Sequence, residues 1–219
     1  YVSLPSNREE ALKLVNIFKP LYEDEKITKV GQNIKYDIEV LRGYGVEVKG
    51  KLFDTMLAHY IIQPELAHNM DYMAEVYLKY QTIHIEDLIG PKGKGQKSMR
   101  DLDPREVYEY AAEDADITLR LKNVLEPKLK EIGGEHLFWD IEMPLVKVLA
   151  DMELNGVRLD TQQLKLTQQT FTERMNAYER HAYEEAGETF NIASPKQVGD
   201  ILFEKMQPLE KHKHKKTRT

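Results

Sequence analysis

The rhythm of apolar positions changes near residue 104, with short elements and turns before it and long helical patterns after it. Ser6 with Glu9 has the spacing of a capping box and opens a helix on which Leu14, Ile17, Phe18 and Leu21 recur at helical intervals. Ile27 to Val30 reads as a strand ending at Gly31; Asn33 begins a helix through Leu41, closed by Gly43 and Gly45. Val46 to Phe53 alternates and reads as a second strand, with Asp54 placed to cap the following helix. This strand–helix–strand–helix order predicts an α/β layer. A further helix is expected over Asn69–Tyr80, then an exposed basic loop over Gly90–Arg100.

Beyond residue 104 the pattern is helical from Pro104 to about Ile132 and from Glu135 to Leu154, interrupted at Pro144. Asn155-Gly156 stops that helix, Val157–Leu159 reads as a short strand, and Thr161–Glu188 as a long polar helix. A last helix follows Ser194-Pro195, with Ser as N-cap and Pro in the first turn. A boundary is expected near residues 132–135, at Gly133-Gly134, between an α/β part (1–133) and an all-helical part (134–206). The Lys/His-rich tail, 207–219, has no periodicity and is expected to be mobile.

The 219 residues are 41% hydrophobic and 31% charged, which excludes fibrous and wholly disordered classes. Without cysteine there is no disulfide, no thiolate chemistry and no Cys-based metal site. No apolar run approaches about 18 residues and Tyr1–Pro5 does not resemble a signal peptide, so the expectation is a soluble intracellular protein. Net charge is −6, yet residues 205–219 carry +5, leaving −11 on residues 1–204. A body this acidic needs metal ions or local basic loops to handle a polyanion.

Two constellations could carry chemistry. Asn33-Ile-Lys-Tyr-Asp37 opens a helix after a strand, where α/β proteins tend to place their sites, although an Asp there also suits the helix dipole. In Tyr110-Ala-Ala-Glu-Asp114 the spacing puts Tyr110 and Asp114 on one helix face beside two small residues; the alternative is a solvated acidic face. Asp37 and Asp114 together are the more specific signal.

The segments Lys29-Val-Gly-Gln-Asn-Ile-Lys-Tyr-Asp37, Phe53-Asp-Thr-Met-Leu57 and Tyr110-Ala-Ala-Glu-Asp-Ala-Asp116 resemble the tyrosine subclass of DEDD exonucleases. They are most similar to the 3′–5′ proofreading domain of the bacterial DNA polymerase I family (family A). Ile141-Glu-Met-Pro-Leu145, Asn155-Gly-Val157, Phe190-Asn-Ile-Ala-Ser-Pro-Lys-Gln197 and Ile201-Leu-Phe-Glu204 resemble the helices entering the polymerase thumb, so the likeness covers residues 1–206. It implies a ribonuclease H-like exonuclease fold lacking its first strands, followed by the helical start of a polymerase domain. It further implies a bacterial, cytoplasmic, nucleoid-associated enzyme of DNA replication and repair. The partners implied are single-stranded 3′ ends and primer-template DNA, with no membrane and no small-molecule cofactor beyond metal.

By that resemblance Asp37 and Asp114 are metal ligands and Tyr110 positions the attacking water. Gln32, Asn33 and Tyr36 face the 3′-terminal nucleotides. His68 reaches a DNA phosphate, with Ala67 before it where the family often has a basic residue. Lys92, Lys94 and Lys97 steer single-stranded DNA without reading it. Phosphodiester cleavage needs no protein nucleophile where two divalent cations (Mg, Mn or Zn), about 3.5–4 Å apart, assist the attacking and leaving oxygens. Four carboxylates ordinarily hold such a pair. The family's first motif, Asp-x-Glu on a strand, is not found in residues 1–30. Asp37-Ile-Glu39, Asp140-Ile-Glu142 and Asp151-Met-Glu153 all fall in helical patterns, where i and i+2 point about 200° apart. The expectation is therefore a truncated proofreading domain holding one cation or none, inactive alone, with nuclease and polymerase activity belonging to the parent enzyme.

Two other functions remain open: an RNA exonuclease like RNase D, which shares the Tyr-x-x-x-Asp arrangement, and a non-catalytic structural domain of the same fold. Trp139 beside Phe138 is read as packing, Asp54 as a helix cap, and His212 and His214 as part of the unstructured tail rather than a metal site.

Overall fold

Two short strands, β1 (Lys29–Gly31) and β2 (Leu52–Asp54), pair in parallel with Lys29 opposite Leu52 and Gly31 opposite Asp54. The computed structural model describes residues 1–206; the predicted basic tail, with His212 and His214, lies outside the described residues. Helix α1 (Arg8–Glu23) precedes β1, and α2 (Ile34–Gly43) crosses between the strands, as a parallel pair requires. Helices α3 (Thr55–Ile62), α4 (Met70–Met73) and α5 (Ile85–Ile89) follow β2; α4 runs directly into a π-helical turn, Ala74–Leu78. Helix α6 (Pro104–Glu131) is the longest, and α7 (Met143–Asn155) follows a second π-helical turn, Leu137–Glu142. The α/β class read from the sequence is observed in this helix-rich form.

The core explains the order. Phe53 on β2, Ile34 and Ile38 on α2, and Ile117, Leu121, Leu125 and Leu129 at four-residue intervals on α6 belong to one buried cluster. Phe138, Met143, Val146 and Ala150 join it. Phe53, Phe138 and Trp139 interlock, with ring centroids 4.9 Å (Phe53–Phe138) and 4.7 Å (Phe138–Trp139) apart, and the Lys51 ammonium stands 3.5 Å over the Trp139 ring. The first compact unit accordingly runs Tyr1–Val157, continuing past the turn at Gly133-Gly134.

The second unit begins at Arg158. It contains α8 (Thr161–Ala186), capped by Asp160, and α9 (Pro195–Gly199), capped by Ser194. None of the α8 residues is buried. Among the described residues no helix is long and apolar enough to cross a membrane.

Three local expectations are corrected. The first helix is capped by Asn7, whose Oδ1 accepts from Glu9 N (2.9 Å) and Glu10 N (3.2 Å), rather than by a Ser6/Glu9 box. The strand expected over Val46–Phe53 is only Leu52–Asp54, because the chain turns at Gly50. There φ is +79°, and a Cβ would stand 2.7 Å from the Glu25 carbonyl oxygen. Val46 and Val48 alternate inward without pairing. Val157–Leu159 forms no strand, having no partner to ladder with among the described residues. The interruption expected at Pro144 takes the form of the preceding π-helical turn, where Met143 N donates to the Phe138 carbonyl and the helix then continues.

Candidate active site

A groove of about 930 Å³ runs beside β1 between α2 and α6. Both Asp37 and Asp114 line it, together with Gln32, Tyr36 and the small residues Ala111 and Ala115. The two carboxylates singled out from sequence thus line one groove, brought there by separate local devices.

Asp37 owes its place to the β1–α2 junction. Gly31 ends the strand with no room for a side chain, since a Cβ would lie 2.8 Å from Ile34 Cγ1. Asn33 follows in the left-handed region (φ 57°, ψ 50°), which asparagine tolerates better than most residues. The helix starts at Ile34 and Asp37 falls in its first turn. Groove walls, and then the charge of Asp54, push the Asp37 carboxyl above the ordinary aspartate value, although its rim remains open to water.

Asp114 and Tyr110 are set by α6. Asp103 and Glu106 form a reciprocal capping box with Pro104 in the first turn, and the Ile117–Leu129 stripe fixes the helix rotation. One turn apart, Tyr110 and Asp114 share a face, and both are half-buried. Burial pushes Asp114 up to about 6, against the lowering influence of the Tyr110 hydroxyl; the charges of Glu113 and Asp71 add to the rise. Tyr110 is pushed up to about 12 by burial, then by Asp114 and Asp71. The phenol therefore stays protonated across the physiological range.

Asp71 is a neighbour that sequence reading missed. Its carboxylate accepts from Thr82 Oγ1 (2.6 Å) and pairs with His84 Nδ1 (3.3 Å), while its charge reaches Tyr110 and Asp114. Glu113, read as part of an acidic face, accepts from Ile83 N (2.8 Å) and the Tyr80 hydroxyl (2.7 Å), tying residues 80–83 to α6. Asp54, read as a cap of α3, does cap it, but its carboxylate also accepts from Asn33 N and Ile34 N.

The expected nucleic-acid contacts are spread more widely. Tyr36 is 63% exposed on the groove wall. The amide of Gln32 is engaged within the protein: Nε2 donates to the His68 carbonyl (2.8 Å) and Oε1 accepts from Thr55 Oγ1 (2.5 Å). His68 is half-buried, with Nδ1 2.7 Å from His59 Nδ1. Lys92, Lys94 and Lys97 are fully exposed on the 90–98 loop and are not part of the groove wall. All three Asp-x-Glu triplets are helical; Asp151 pairs with Arg42, and Glu153 with Lys35. Among the described residues no three metal-binding side chains cluster together.

Residues 1–130 match the family model described as 3′–5′ exonuclease, and residues 161–219 the one described as DNA polymerase family A. DNA polymerase I of Pseudomonas aeruginosa is 42% identical over 212 residues, which is 94% of this chain and 23% of that protein. DNA polymerase I of Rhizobium leguminosarum is 42% identical over 189 residues, 86% of this chain and 18% of that protein. Among solved structures, the POL domain of Pol1 from M. smegmatis in complex with DNA primer-template and dNTP superposes with a TM-score of 0.72 at 23% identity. That likeness of fold covers 88% of this chain and 30% of that one. The chain spans about a fifth of the length of the curated relatives it matches.

Proposed function

Because the chain belongs to the 3′–5′ exonuclease family, we propose that residues 1–133 form the proofreading domain of a polymerase I-type DNA polymerase. Residues 134–206 lead into its polymerase domain. The complete enzyme acts in the bacterial cytoplasm on primer-template DNA at the nucleoid and removes mispaired 3′ nucleotides. The observation that carries this reading is the shared groove: Asp37 and Asp114 line it together, with Tyr110 one turn from Asp114.

The donor set fits a divalent cation. Two hard carboxylate ligands whose proton affinities are raised by burial gain from a neighbouring positive charge. In the complete enzyme two divalent cations are expected, and Asp37 and Asp114 would supply two of the carboxylates that hold them; the ions would supply Lewis acidity at the scissile phosphodiester. The protein's own share is orientation and charge. Tyr110, protonated at neutral pH, accepts from or donates to a water and points it; it does not act as a phenolate base. Tyr36 offers an exposed ring to a terminal base, Gln32 on the groove wall and exposed Asn33 beside it face the 3′-terminal nucleotides, and His68 with Lys92, Lys94 and Lys97 meet phosphates of the approaching strand.

The family A match over residues 161–219 favours this reading over an RNase D-like RNA exonuclease. In the complete polymerase, Asp37→Ala and Asp114→Ala are expected to cut 3′–5′ exonuclease activity by orders of magnitude while primer extension continues. Wild-type proofreading in either variant would remove that residue from the site.

A further inference from the structure

Asp54 is the single buried carboxylate among the described residues, 1% exposed at the end of β2. Its side chain does not line the groove. Its hydrogen bonds instead link two helix starts. Met56 N (2.8 Å) and Leu57 N (3.2 Å) of α3 donate to Oδ1, the ordinary service of an N-cap. Asn33 N (3.2 Å) also donates to Oδ1, and Ile34 N (2.8 Å) to Oδ2.

That second pair supplies what α2 lacks. Asn33 occupies the N-cap position of α2 in the left-handed region, and its own side chain makes no capping bond. Without Asp54 the buried Ile34 N–H, the first of α2, would lack the acceptor the structure gives it. The parallel register delivers the acceptor, since Gly31 lies opposite Asp54 and the chain reaches Asn33 two residues later. Asp37 then comes one turn along the same helix, near enough for the Asp54 charge to act on it. Burial raises the Asp54 carboxyl above its ordinary value, and the four N–H donors at the two helix starts oppose that rise.

We propose that Asp54 is a positioning residue for the nuclease site: it caps α2 from the neighbouring strand and so fixes the direction in which Asp37 enters the groove opposite Asp114. The role rests on the reading of Asp37 as a cation ligand. Asp54→Asn keeps an oxygen for α3 but cannot accept from Ile34 N with its amide nitrogen. Asp54→Ser likewise remains a good cap for α3 but is too short to reach α2.

The test uses the complete polymerase well below its melting transition, with exonuclease rates normalised to primer extension so that differences in enzyme concentration cancel. Both Asp54 variants are expected to lower exonuclease kcat by roughly 10–100-fold, the scale of a misplaced catalytic group. The manganese concentration for half-maximal activity rises. Independently of activity, amide hydrogen exchange speeds up at Ile34 in both variants, and at Asn33 in Asp54→Ser, while Met56 and Leu57 stay protected. Asn7→Ala, which removes the cap of α1, controls for general loss of stability and leaves normalised exonuclease unchanged. Wild-type rate and manganese dependence in both Asp54 variants, beside an inactive Asp37→Ala enzyme, overturn the positioning role alone. Wild-type exonuclease in Asp37→Ala overturns the site reading and this inference with it.

Discussion

Asp37 and Asp114, 77 positions apart in sequence, line one groove, Asp37 from α2 and Asp114 from α6. Each carboxyl is raised above its ordinary value, and burial in the groove is the leading cause for both. A pair of acids held this way is poorly solvated when ionised, and a bound cation would relieve that.

A stability consequence follows for Asp114. Folded, it titrates near 6, against 3.8 for the ordinary group. Between those values the folded chain holds a proton that the unfolded chain has released. The stabilisation from protonated Asp114 is therefore complete in acid and is lost as pH rises through about 6. Asp114→Asn is expected to raise thermal stability at pH 7.5 in chelator-treated buffer, by on the order of 1 kcal/mol after allowance for partial solvation. The gain should shrink toward zero below pH 4.5. Thermal melts of both proteins at several pH values check this; an equal difference at every pH would contradict it.

Tyr110 supplies a sharper kinetic expectation. Its hydroxyl, pushed up to about 12, cannot account for a rate change near pH 8. Tyr110→Phe should lower exonuclease kcat by about 10–100-fold through lost orientation of a water, on the scale of a single removed polar group. KM for DNA and the pH profile between 7 and 9.5 should keep their form. An alkaline limb near pH 8–9 that vanishes in Tyr110→Phe would assign the phenol a proton-transfer role instead.

The core makes a third demand. Leu121 is fully buried on α6, in the cluster that includes Phe53 and Phe138. Leu121→Ala should cost about 2–5 kcal/mol by transfer and cavity terms. Because the same helix carries Tyr110 and Asp114, exonuclease activity should fall at temperatures where primer extension still holds. Denaturant unfolding and paired activity assays over a temperature series measure both effects.

Much of this was legible in the sequence where the signal is local. The α6 boundaries follow from Asp103-Pro104 with Glu106 at one end and a regular apolar stripe, and its Tyr-x-x-x-Asp spacing needs only helix geometry. The Asp160 and Ser194 caps are equally local. What escaped depends on three-dimensional placement. Asp54 was readable as the cap of α3, but its bonds to Asn33 and Ile34 exist only because of the β1–β2 register. Asp71 comes near Tyr110 by packing across 39 positions, which no periodicity announces. Val46–Phe53 alternates because Val46 and Val48 are buried, and alternation alone does not say that a partner strand is present. The internal engagement of Gln32 by His68 and Thr55 is likewise a product of loop packing.

The most direct test of the shared-groove account is a double-mutant cycle in the complete polymerase, comparing Asp37→Asn, Asp114→Asn and the double variant in single-turnover 3′–5′ excision at saturating manganese. If both carboxylates serve one metal centre, each single change removes the site, and the double variant is no slower than the slower single. If the two losses multiply, Asp37 and Asp114 act independently, and the groove is not one active site.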